Sequence, residues 1–166
     1  MSLPVTLDQR LLLQRATRAW LSSIEPQLPV DATLDLDGAR RLGLALAVSG
    51  SDLNVTGILA GWNSGTGLLI KTGAGTMTLS NQNTYTGGTR IDNGTITLGH
   101  ATNTLADTGA VNVNGGTLAI GGNSDTVGAV TLTSGSITGS GGTLTGTGSA
   151  YDVRSGSVSA KLGGSV

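Results

Sequence analysis

Cysteine and phenylalanine are missing from this chain of 166 residues, aromatic residues make up 2% of it and charged residues 11%. Without cysteine there is no disulfide framework and no thiolate metal site. With so few large side chains a thick globular interior cannot be filled, so the core has to be thin, repetitive and made of Val, Ile and Leu. Nine Lys and Arg stand against ten Asp and Glu, a formal net charge of -1. That leaves no basic footprint for nucleic acid or for an anionic membrane, and five of the nine cations (Arg10, Arg15, Arg18, Arg40 and Arg41) fall in the first quarter. No apolar run is long enough to span a bilayer. Leu11-Leu12-Leu13 is interrupted at once by Gln14 and Arg15, which is not the apolar stretch of a signal peptide.

What the chain has is glycine, 28 in all, set among Thr, Ser and Asn. Composition of that kind favours disorder, but a regular alternation of Val, Ile and Leu and a mean hydropathy of +0.14 oppose it. The glycines have a pattern. Ala74-Gly75-Thr76-Met77-Thr78-Leu79, Asn93-Gly94-Thr95-Ile96-Thr97-Leu98, Gly115-Gly116-Thr117-Leu118-Ala119-Ile120, Ser134-Gly135-Ser136-Ile137-Thr138 and Ser155-Gly156-Ser157-Val158-Ser159 are near-copies, their anchor glycines 19, 22, 19 and 21 residues apart. Self-similarity at about twenty residues marks a stacked array in which each repeat buries its apolar edge on the next.

Residues 1–30 differ from the rest. Thr6 and Gln9 have the spacing of a capping box, and Leu12, Leu13, Ala16, Ala19, Trp20 and Ile24 recur at three- and four-residue steps up to Pro26 and Pro29. This predicts a short amphipathic helix. From Ala32 the period becomes two, through Leu34 and Leu36, then Leu42, Leu44, Leu46 and Val48, and on through Leu53, Val55 and Ile58, followed by a loop over Gly61 to Gly67. These stretches read as strands. From Leu68 each repeat holds two short strands meeting at the glycine. Thr89-Arg90-Ile91, Val111-Asn112-Val113, Val130-Thr131-Leu132 and Tyr151-Asp152-Val153 lie before the corner, and Ile96, Leu118, Ile137 and Val158 after it. Asn93-Gly94 between alternating strands is also a β-hairpin signal. A column-forming repeat favours a parallel β-solenoid instead, because hairpins of a sandwich have no reason to resemble one another.

The segment Leu69-Ile70-Lys71-Thr72-Gly73-Ala74-Gly75-Thr76-Met77-Thr78-Leu79-Ser80, followed by Asn83-Thr84-Tyr85-Thr86-Gly87-Gly88-Thr89 and Asn93-Gly94-Thr95-Ile96-Thr97-Leu98-Gly99, resembles the autotransporter-associated β-strand repeat, or passenger-associated transport repeat. It departs at Asn81-Gln82, where the family pattern commonly has Gly-Ala. The resemblance implies an all-β, right-handed parallel β-helix (β-solenoid) in a bacterial type V secretion passenger or related surface adhesin. Proteins of that kind carry an export signal and an outer-membrane barrel, expected here outside this chain; the lack of cysteine agrees with export. The expected organisation is a helical segment over 1–30, as a cap or an extension, and a β-helix over 31–166 whose closest repeat match is 68–99.

Candidate chemistry is sparse. His100 is the only histidine and has no nucleophile or ligand partner nearby in sequence. β-Helix enzymes acting on polysaccharides need clustered carboxylates, whereas Asp92, Asp107, Asp125 and Asp152 are single acids in different coils, and Lys71, Arg90, Arg154 and Lys161 are as scattered. Asp152 and Arg154 share a strand face as a weak surface pair. Gly121-Gly122-Asn123-Ser124-Asp125 is a lone fragment of a calcium-roll pattern. Asp31, Asp35 and Asp37 suggest a cation site, although Asp35 and Asp37 read better as a strand's solvated face, and Gly139 to Gly148 lacks the Gly-Lys-Ser/Thr of a phosphate loop. Outward hydroxyls after each corner (Thr76, Thr78, Thr95, Thr97, Thr117, Ser136, Thr138, Ser157 and Ser159) form a ladder that suggests ordered water, as in ice binding, or simply a soluble strand face.

The sequence therefore predicts a structural rod without catalytic, cofactor or metal residues, at the cell surface or secreted. Its expected partners are further β-helix repeats of a longer parent chain and a host surface or glycan, with end-to-end self-association, no nucleic acid and no membrane insertion. The alternatives are a polysaccharide-processing β-helix fragment and an ice-binding or other surface-recognition solenoid.

Overall fold

A computed structural model describes residues 44–47, 52–59, 67–148 and 151–164. The helix expected within 1–30, the strand around Leu34 and Leu36, the acids Asp31, Asp35 and Asp37, and residues 61–66 of the expected loop lie outside this range.

The described chain is all strand: β1 (Leu44–Ala47), β2 (Leu53–Val55), β3 (Leu69–Thr72), β4 (Thr76–Leu79), β5 (Thr89–Ile91), β6 (Thr95–Leu98), β7 (Val111–Gly121), β8 (Asp125–Val127), β9 (Val130–Gly139), β10 (Thr143–Gly146), β11 (Asp152–Val153), β12 (Ser157–Val158) and β13 (Lys161–Gly164). Every pairing is parallel. Parallel neighbours cannot be joined by a tight turn, so Asn93-Gly94 is a corner and not a hairpin. The result is a β-solenoid of about 5 turns.

One side of the coil stacks β1, β3, β5, the first half of β7, the first half of β9, then β11; the next stacks β2, β4, β6, the second halves of β7 and β9, then β12. In β7 and β9 the strand runs through the corner, with register shifts around Asn114. The five aligned repeats fall into register as their glycines require: Thr76, Thr95, Thr117, Ser136 and Ser157 are successive partners, as are Met77, Ile96, Leu118, Ile137 and Val158. Ile91, Val113, Leu132 and Val153 form the matching column before the corner. Alternation sends these side chains inward. Met77, Ile91, Ile96, Val113, Leu118, Leu132 and Ile137 are fully buried.

A third side exists that two strands per repeat do not anticipate. β8, β10 and β13 form a separate parallel sheet in which Asp125 pairs Leu144 and Leu144 pairs Leu162. In the preceding coils this side runs through 80–88 and 99–110 without strand. The alternation expected through Ile58 also ends early: β2 stops at Val55, Ile58 is 45% exposed, and Leu59 is the buried neighbour.

Candidate functional surface and interior polar groups

The outward face after the corner presents the hydroxyl ladder in register, one rung per coil, about 4.8 Å apart. Its regularity is broken by Ala119, which pairs with Thr97 and Thr138. Thr117 and Ser136 also spend hydroxyl capacity on each other, at 2.9 Å.

On the side before the corner, Arg90 reaches Asp92 at 2.9 Å and Arg154 reaches Asp152 at 2.7 Å, both i, i+2 pairs on one strand face. Asn114 donates its amide to the second oxygen of Asp92. Register places Arg90, Asn112, Thr131 and Asp152 in one column, so the two ion pairs are three rungs, about 14 Å, apart. That separation is too wide for two carboxylates to flank one glycosidic bond. Asp52 accepts from the Thr76 N–H at 2.9 Å. Among the described residues, no three His, Cys, Asp or Glu side chains converge as a metal cage.

His100 lies on the 99–110 segment with Nδ1 2.7 Å from the Thr102 carbonyl, and its own carbonyl accepts from the Thr104 hydroxyl. Among the described residues its hydrogen-bond partners are Thr102 and Thr104. An open depression beside the same segment is lined by Gln82, Thr84, Asn103 and Asp107 together with the apolar Leu105 and Ala106, and His100 is not part of it. In the Gly139–Gly148 run, Thr143–Gly146 is β10 of the third side, paired on both edges, so that stretch is no phosphate loop.

Two of the scattered charged groups, Lys71 and Asp125, are interior. Lys71 is fully buried, opposite Ile91 in the column that continues with Val113 and Leu132. Its ammonium donates to the carbonyl oxygens of Thr72 (2.8 Å), Gly73 (2.7 Å) and Asn93 (3.4 Å). One cation thus holds the corners of two successive coils, while burial pulls its pKa below the ordinary 10.5. The position was readable: Lys71 follows Leu69 by two residues and is flush with a column of aliphatic residues.

Asp125 is the second. It lies 3% exposed on the third side, accepting from the Leu105 N–H at 2.8 Å through one oxygen, while the other has no partner. The calcium-like string therefore does not present its carboxylate outward: Gly122 and Ser124 are exposed, but Asp125 itself is turned inward. Asn123 donates instead to the Leu98 carbonyl at 2.6 Å.

The same role falls to asparagines elsewhere. Asn83 accepts from the Leu59 N–H at 2.7 Å and donates to the Thr104 carbonyl at 2.6 Å, joining the coils on either side. Asn81 donates to the Thr56 carbonyl, so the Asn81-Gln82 departure from the repeat pattern adds a staple to the previous coil. Tyr85 is buried with its hydroxyl 2.7 Å from the Thr89 hydroxyl, and burial raises its pKa. Where the third side has no strand, these side chains supplement the main-chain bonds between coils.

Neither the curated proteins nor the solved structures contain a match to the chain. The family model of the passenger-associated-transport-repeat matches residues 69–98, which run from the start of β3 to the end of β6 and include Lys71, Asn83 and Tyr85.

Proposed function

We propose that the chain is a rod segment of a bacterial autotransporter-like or adhesin-like passenger, secreted or held at the cell surface, where it extends and presents recognition regions. The observation that carries this reading is a passenger-type repeat, 69–98, lying in register with coils before and after it. The work of such a rod is mechanical, and no reaction is assigned to it. Each coil bonds only to its neighbours, so coils emerging from a pore dock in order on those already folded.

Placed between a bacterial export signal and an outer-membrane β-barrel, the chain is expected to become accessible to protease added outside whole cells. A variant lacking residues 94–115, one coil, should be displayed equally well and, once purified, keep a cooperative far-UV circular dichroism melt. Retention of the unaltered fusion in the periplasm contradicts the display role. A non-cooperative melt of the deletion variant contradicts the modular rod.

The partner best suited to the last described coil is another coil of the same kind. Val153 is 49% exposed although its column mates Ile91, Val113 and Leu132 are fully buried, and an unpaired strand edge templates further strands. For the isolated chain the available coil is that of a second copy. Light scattering after size exclusion should show association rising with concentration and suppressed by Val153→Lys; a monomer at every concentration contradicts it.

A further inference from the structure

The third-side strand β8 reads Asp-Thr-Val, with Asp125 and Val127 buried and Thr126 between them. Asp125 faces Leu144, itself fully buried, so a carboxyl group stands in an apolar column. Two coils earlier Asn83 meets the same demand with a group that both accepts and donates, bridging Leu59 and Thr104. An ionised carboxylate only accepts; Asp125 bonds the Leu105 N–H and leaves Oδ1 buried and unpartnered. The ion pairs among the described residues are Arg90 with Asp92 and Arg154 with Asp152, so no cation compensates Asp125.

The charged and titratable groups on the elements around it are few. Asp107 and His100 lie on the 99–110 segment, Tyr85 on the 80–88 segment, and Lys161 on β13, beyond β10. Asp107 is exposed and adds like charge, and the Tyr85 hydroxyl is bonded to Thr89. None supplies Oδ1 with a hydrogen bond.

We propose that Asp125 is a proton-operated lock between coils, its neutral carboxyl firming the packing of the third side and its ionised form loosening it. Burial pushes the Asp125 pKa up to about 6, the N–H groups of Leu105, Thr126 and Thr104 pull it down, and the negative charge of Asp107 pushes it further up. The unfolded chain releases the same proton near 3.8. The penalty of the buried charge is therefore complete above about pH 6, shrinks as pH falls through that value, and is gone below the unfolded pKa. Between about pH 7.5 and about pH 5 the folding equilibrium constant gains roughly tenfold from this group alone.

Urea unfolding of the unaltered chain and of Asp125→Asn at the two pH values tests the lock. The unaltered chain should gain roughly tenfold more than the variant on acidification, and the variant should be the more stable of the two at the higher pH. An equal pH response in both overturns the proposal. Should Asp125→Asn not fold, carbon NMR of the unaltered chain labelled at aspartate carboxyls decides: one carboxyl should titrate near pH 6, with a midpoint lowered by Asp107→Asn. A full set of midpoints below about pH 4.5 overturns the lock, since an aspartate that stays ionised there has an ordinary pKa.

Discussion

Alanine at Gly135 is expected to unfold the rod at urea concentrations that leave the unaltered chain intact. Gly135 has φ 93°, which a side chain resists, and a Cβ there would lie 2.1 Å from the carbonyl oxygen of Gly116, the corner of the coil below. Neither atom is at the end of a flexible side chain, so a backbone has to move and the rungs beside it part. Strain and lost pairing together amount to more than about 3 kcal/mol, a large share of the stability of a domain this size. Gly142→Ala should behave alike, its Cβ falling 1.8 Å from the Asn123 carbonyl oxygen.

The contrast lies next door. A Cβ on Gly141 or Gly122 meets nothing within 4 Å, and alanine at either should shift stability by less than about 1 kcal/mol, in the stabilising direction where it restricts the unfolded chain. Urea midpoints from far-UV circular dichroism separate the two groups. Equal midpoints for Gly141→Ala and Gly142→Ala would show that glycine density, not inter-coil contact, accounts for the corners.

Lys71→Met should cost about 3 kcal/mol, because it keeps most of the side chain's bulk and removes the buried ammonium's charge-assisted, part-buried bonds to three corner carbonyls. Thr72, Gly73 and Asn93 belong to two corners, so the loss falls on the junction between the matched repeat's own coils. Gly94→Ala should be severe with either residue at 71. Its Cβ meets the Lys71 ammonium at 2.5 Å, but also the carbonyl oxygens of Gly73 at 2.3 Å and Gly75 at 2.5 Å, which methionine does not move. An unchanged urea midpoint for Lys71→Met would mean that the corners hold without the cation.

How much of this was legible in the sequence depends on which side of the coil is asked about. On the two sides flanking the glycine, backbone ladders and inward aliphatics recur with each turn, so Met77, Ile96, Leu118, Ile137 and Val158 declare their register by position alone. The glycines were legible as corners, although for more than one reason. Gly94, Gly135 and Gly156 take positive φ, whereas Gly116 does not and is instead pressed against the Ile91 side chain, 2.5 Å from where its Cβ would be.

The third side was not legible, because 80–88 and 99–110 run along it without strand and Asn83 and Asp125 add side-chain bonds to the few main-chain ones there. A segment that is not in a strand need not alternate. The bonds of Lys71 were hidden for a different reason. Its column was visible, but a lysine's charge suggests the surface, and only the geometry of two corners displays the carbonyls that accept it. Ile58 and Leu59 exchanged roles because the chain leaves the strand at Val55, after which a period of two no longer decides which side chain points inward.

The purely parallel stacking of β3, β5, β7 and β9 has a consequence for a rod under load. Tension applied to the two chain ends meets one coil at a time and opens its rungs successively, like a spool paying out thread, instead of shearing many bonds at once. Each coil of about twenty residues would release roughly 65 Å of slack while surrendering about 4.8 Å of rod. A fibre of this kind lengthens in steps under strain and shortens again by rewinding on the coils that remain.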